Sequence, residues 1–259
     1  MTVKEENIED DLQALQLAIK HRGNPRVAVV IAEEQKDQLC KSVVENKITK
    51  KLVDNGFEVV AQDIYDKQEQ LTILNKVLAG KKEYAAQLGA WFDTTYLVIG
   101  AADSSFVSEY EGLKTYTYQV NANILNADLA KIVSAHSSKQ KGIHLKEKSA
   151  IEKAAAASGE NVAQSILKDL AEEVSSAGHT IRLIVEGSDF TQKSFLQKRL
   201  KAIRLTENVY LRGYENNTFT FDVVSSLPTA NFAEALLWWD MNLEIKQVSS
   251  NLIRVAFVE

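Results

Sequence analysis

Arg26-Val27-Ala28-Val29-Val30-Ile31-Ala32-Glu33-Glu34 sets the frame for the rest of the chain. The apolar run sits between charged flanks, is too short for a helix and lacks the alternation of a strand with one wet face. Such runs are strands buried on both faces, the habit of parallel sheets. Parallel neighbours need crossover helices, and the next residues supply one. Leu39, Val43, Val44, Ile48 and Leu52 recur at helical spacing over 37–55, and the helix stops at Asp54-Asn55-Gly56, a glycine C-cap. Phe57-Glu58-Val59-Val60 follows at once and completes a strand-helix-strand unit. Upstream, Ile8, Leu12, Leu15 and Ile19 form the stripe of an amphipathic helix that ends before Gly23-Asn24-Pro25.

Residues 67–92 read as helix interrupted at Gly80-Lys81-Lys82, and Thr95-Tyr96-Leu97-Val98-Ile99-Gly100 is a second run of the fully buried kind, which makes three parallel strands. The period then falls to two. Tyr116, Tyr118, Val120, Ala122 and Ile124 alternate with Thr115, Thr117, Gln119, Asn121 and Asn123, the pattern of antiparallel strands with one wet face. A returning strand is expected at 131–138, and Ser149 with Glu152 reads as a capping box opening a long helix to about 176, its stripe being Ile151, Ala155, Val162, Ile166, Leu170 and Val174. Gly178 closes this first domain, residues 1–178, an α/β mixed-sheet domain of three parallel strands plus antiparallel strands.

The second domain, 179–259, reads strand (180–186), helix (189–203), strand (208–213), strand (218–225), helix (229–239) and strand (242–248, or onward to 258). That β-α-β-β-α-β order predicts an α+β ferredoxin-like domain. Asn216-Asn217 suits a tight hairpin because Asn tolerates positive φ.

Composition limits function more than it defines it. The 259 residues are 45% hydrophobic and 25% charged, enough for a sizeable core and too apolar for a disordered chain. Net charge is −5, with nine acidic and nine basic residues in 179–259, so the first domain carries the excess. That balance argues against a broad phosphate-binding surface, and no nucleic-acid partner is expected. The single Cys40 cannot form an internal disulfide and reads as a core residue of the first crossover helix. His21, His136, His144 and His179 lie in separate elements without metal-ligand spacing, and neither phosphate-cradling glycine motif is present, so no catalytic, cofactor or metal residue is assigned. Gly100-Ala101-Ala102-Asp103-Ser104-Ser105 reads as plain strand extension, and Glu33-Glu34 as solvated strand-end carboxylates. No segment approaches the about 20 apolar residues of a membrane span.

Lys193, Lys198, Arg199, Lys201 and Arg204 form the wet face of a helix whose core stripe is Phe195, Leu196, Leu200 and Ile203. In the last helix Phe232, Ala235, Leu236 and Trp239 suffice to pack on a sheet, leaving Leu237 and Trp238 off that face. These two are the expected interaction residues, meeting either the first domain or another protein.

The strand Arg26–Glu34, the helix ending at Gly56-Phe57 with Val59-Val60, the strand Leu97–Gly100, the Tyr/Thr strand 115–125, Gly142 and the helix containing Ala150, Ala154, Ala157 and Gly159 together resemble a group of bacterial envelope domains. These occur in the curli-export lipoprotein family, in the amino-terminal domain of the Tol system's periplasmic propeller protein and in the middle domain of the flagellar T-ring assembly protein. The resemblance spans roughly 26–175. Many relatives join the antiparallel strands through a Thr-Gly turn, where this chain has Asn126-Ala127-Asp128-Leu129-Ala130-Lys131. It implies a periplasmic or outer-membrane-associated scaffolding protein without catalysis or cofactor, partnered by proteins or by itself, with an export signal or membrane tether outside these residues. The alternative is a cytosolic small-ligand regulator or enzyme using the carboxyl ends of the parallel strands, near Glu33, Gln62 and Ala101–Ser104.

Overall fold

The computed structural model describes residues 13–20, 25–35, 38–60, 68–81, 84–176, 178–238 and 243–257. The chain divides into two compact units, one built on Pro25–Glu173 and the other on Val174–Glu259 together with Leu17–Asn24. Helix α1, residues 13–20, buries Ile19; Ile8 and Leu12 of its expected stripe lie outside the described residues.

In the first unit β1 (Arg26–Gln35) is the buried parallel strand that its sequence requires, with Val27–Ala32 almost wholly shielded. It pairs in parallel with β3 (Glu58–Val60) and β4 (Tyr96–Tyr110), so the three parallel strands are present. The crossover helix starts later than its periodicity suggests. Gln38–Lys41 is instead a short strand, β2, folded back antiparallel on β1 with Cys40 opposite Glu33, so Leu39 and Cys40 leave the helical stripe. Ser42 sets the start of α2 (Val43–Asp54), its hydroxyl accepting the Val44 N–H at 3.2 Å. Helices α3 (Gln68–Leu78) and α4 (Ala85–Phe92) flank the expected break at Gly80 and cover one sheet face, on which Leu74, Leu88, Leu97 and Ile99 form a core.

β4, β5 (Leu113–Asn126) and β6 (Lys131–His144) form an antiparallel meander longer than the alternating segments foretold. Helix α5 (Glu147–Ser175) lies on its Tyr118 side, held there by a 2.6 Å hydrogen bond from the Ser158 hydroxyl to the Tyr118 carbonyl. The helix begins two residues before Ser149, so the Ser149–Glu152 capping box does not open it, and Ile151 is only half-buried, outside the core stripe. The approach is very close. A Cβ placed on Gly142 would stand 2.0 Å from the Ala150 carbonyl oxygen, so only glycine fits under the helix.

The second unit contains β7 (His179–Glu186), a 3₁₀ turn (Phe190–Gln192), α6 (Lys193–Ala202), β8 (Thr206–Glu215), β9 (Thr218–Ser225), α7 (Thr229–Leu237), β10 (Leu243–Val248) and β11 (Leu252–Phe257). Asp189 caps the turn, and the Thr191 N–H at 2.8 Å holds its carboxyl below the ordinary range. Asn216 and Asn217 take φ of 49° and 56°, as the hairpin between β8 and β9 demands.

The sheet order, β10-β11-β7-β9-β8, keeps the split crossover in which β9 lies between β7 and β8, but it departs from the expected ferredoxin-like unit at the end. A single final strand is replaced by a hairpin, and β11 enters beside β7, parallel to it. The turn is built by Ser249, whose N–H reaches the Leu252 carbonyl at 2.8 Å, and by Asn251, whose amide donates to the Thr180 carbonyl at 3.0 Å. Burial decides which strand goes inside. Ile253 and Val255 of β11 are buried in the core with Phe219, Phe221 and Phe232, whereas β10 has no buried position and takes the edge.

Candidate functional site

Helix α7 carries two stripes. Phe232, Ala233 and Leu236 are buried on the sheet, and Asn231, Glu234, Ala235 and Trp238, at i, i+3, i+4 and i+7, line a groove shared with α6. Ala235, expected in the core, packs against its edge and also lines the groove, while Trp239 lies outside the described residues. The facing wall is Arg199 and Ala202 of α6 with Ile203 and Arg204 just after it, and Leu227 completes a hollow of about 460 Å³. Arg199 also covers the ring of Phe195, which is 43% exposed and so departs from the expected core stripe of α6.

Trp238 is 88% exposed at the end of α7 and Leu237 is 52% exposed, yet the groove takes in only Trp238. A large ring left in water beside an apolar, partly basic hollow is not packed into the core of the described residues. Arg199 and Arg204 came from a stretch read only as a wet helix face; the signal that could have singled them out is that residues 190–205 hold five cations and no acid.

A second hollow, of about 500 Å³, opens in the first unit at the carboxyl end of β1. Glu33 lines it with Tyr118 from β5, Val43 from α2, and Glu147, Lys148, Ile151, Glu152 and Ala155 from the start of α5. The buried Tyr118 hydroxyl donates to Glu33 at 2.7 Å and lies 2.9 Å from the Ser42 hydroxyl. Glu33 is thus no plain solvated strand end. The Tyr116 phenol is held above its ordinary value by partial burial first, then by hydrogen bonding to Glu147 and by the charges of Glu147 and Glu109.

Chemically this cleft is an apolar floor with an acidic rim. Ser42 is committed to capping α2 and to Tyr118, and the phenol is committed to a carboxylate, so neither is an activated nucleophile.

The other sequence candidates do not join either hollow. Ala101 and Asp103–Ser105 are exposed on the β4 extension, and Gln62 and His21 lie outside the described residues. His136 faces Asp169 at 3.1 Å, and His179 meets Thr229 at 3.1 Å. Among the described residues no three His, Cys, Asp or Glu side chains are placed to hold a metal, and no helix is long and apolar enough to cross a membrane.

No family model and no curated protein matches the chain. Solved structures similar to it include lipoprotein GNA1162 from Neisseria meningitidis, with 12% identity and a TM-score of 0.35 over 57% of this chain and 99% of that one. The PelC dodecamer from Paraburkholderia phytofirmans gives 14% and 0.32 over 58% and 87%. The C-terminal domain of LpoB from Salmonella enterica gives 12% and 0.27 over 49% and 93%.

Proposed function

We propose that the chain is a non-catalytic scaffolding or assembly protein of the bacterial envelope that works through protein–protein contacts, with the α6–α7 groove and Trp238 as its contact face. One observation carries the contact reading: an indole 88% exposed on the second stripe of a helix whose first stripe already satisfies the core. The envelope setting, periplasmic or outer-membrane-associated, rests on the sequence resemblance of residues 26–175, as does kinship with the curli-export, Tol and T-ring domains. Trp238→Ala is expected to weaken association by about 2 kcal/mol, roughly 30-fold in affinity, with the far-ultraviolet spectrum unchanged. Sedimentation and partner capture read this, and full association in the variant would refute it.

The cleft at Glu33 favours the second reading, a small-ligand site at the end of a parallel strand. A ligand bound there would raise the melting temperature of the wild-type chain and not that of Tyr118→Phe.

A further inference from the structure

The two hollows are complementary. In the second unit Trp238 lines a groove with Arg199 and Arg204, and Lys193, Lys198 and Lys201, elsewhere on α6, add to its positive charge. Among the described residues none of these five cations forms an ion pair. In the first unit the cleft offers the opposite: Val43, Tyr118, Ile151 and Ala155 as an apolar floor, and Glu33, Glu147 and Glu152 against Lys148 alone as a rim. Val43 is 55% exposed, and Phe106, 56% exposed, packs edge-on against Tyr116, so apolar surface is open both in the cleft and beside Glu147.

We propose that the cleft receives Trp238 of a second copy of this chain, with Arg199 and Arg204 of that copy set against Glu147 and Glu152. The proposal rests on the contact reading given above and names its partner. Charge selects the pairing. Residues 1–178 hold 26 acidic and 21 basic residues and 179–259 hold nine of each, so two first units repel while a first unit and the acid-free basic segment 190–205 attract. An indole suits the floor, since aromatic rings dominate contacts when desolvated in a pocket with a polar rim. The two surfaces are unlike, so they either meet twice in a reciprocal, isologous dimer or, as a single heterologous contact, close into a ring or propagate.

Sedimentation velocity on the full chain over a wide concentration range tests this, with salt as a second variable. Wild type should self-associate, and added salt should weaken the association. Trp238→Ala, the pair Glu147→Lys/Glu152→Lys and the pair Arg199→Glu/Arg204→Glu should each weaken it about tenfold or more. All five positions are exposed, and melting curves matching wild type would show that the variants fold. Combining both charge reversals should restore association, because each chain then carries the swapped signs on both faces. A chain that stays monomeric at every concentration, or reversal pairs that leave association unchanged or fail to rescue each other, overturns the proposal. If the chain is monomeric and Trp238→Ala still abolishes capture of a different protein, the second-copy proposal falls and the contact reading stands. If Trp238→Ala changes neither, both fall.

Discussion

Helices α5 and α7 both lie on a sheet, and they use their residues in opposite ways. The first turns of helix α5 meet the sheet through alanines, with Ala150 and Ala154 buried above Gly142, and approach until a hydroxyl of the helix binds a carbonyl of the strand; Val162, Ile166 and Leu170 are buried further along. Helix α7 packs through Phe232 and Leu236 and turns its largest described ring to solvent. Small residues on a helix mark where it is seated against its own sheet; a large apolar residue out of phase with the buried stripe marks where something else is to be seated.

The largest test of that contrast is Phe232→Ala, which empties the fully buried side of α7 and should cost about 4 kcal/mol in chemical denaturation. Gly142→Ala comes next. A methyl group would collide with the backbone of α5, and a loss of about 3 kcal/mol is expected, because neither backbone can yield locally. A neutral Gly142→Ala would mean that α5 does not sit as closely as its alanines allow. Smallest is the effect of Trp238→Ala on stability itself, within about 0.5 kcal/mol despite the size of the ring removed. A loss as large as that of Phe232→Ala would make Trp238 a core residue and erase the difference between the two faces.

Much of this arrangement was legible in the chain. β1 announced itself because both of its faces are buried, and Trp238 because it falls off the α7 face that packs on the sheet; the groove stripe it joins was not legible, since Ala235 reads as a core position. The short strand β2 was hidden, since Leu39 falls in phase with Val43 and Ile48, and only the Ser42 cap separates strand from helix. The outer end of β4, residues 106–110, was hidden for the opposite reason. It is exposed throughout, so burial imposed no period on it, and only the ladder with β5 holds it extended. The extra hairpin at the end of the second unit depends on the Ser249–Asn251 turn, which periodicity merges into one long strand. Of the cleft only Glu33 could be read, as a carboxylate at the end of a parallel strand. Glu33, Tyr118 and Glu147 are far apart in sequence and become neighbours only through the pairing of β1 with β4 and of β4 with β5.

That pairing pattern also sets an order in time. β4 and β5 are joined through Glu111 and Gly112, both at positive φ, and β5 and β6 through the turn at Ala127–Ala130, so the meander can zip from its own ends. β1 reaches β4 only after residues 36–95 have been closed into a loop, an entropic cost that local hairpins escape. During refolding, pulsed amide exchange should therefore protect Gln119–Asn123 before Val29–Ile31, and the reverse order would exclude a nucleus in the meander. The phenol of Tyr118 would then be in position before the carboxylate of Glu33 arrives to accept its hydrogen bond, making the acidic hollow one of the last features of its unit to mature.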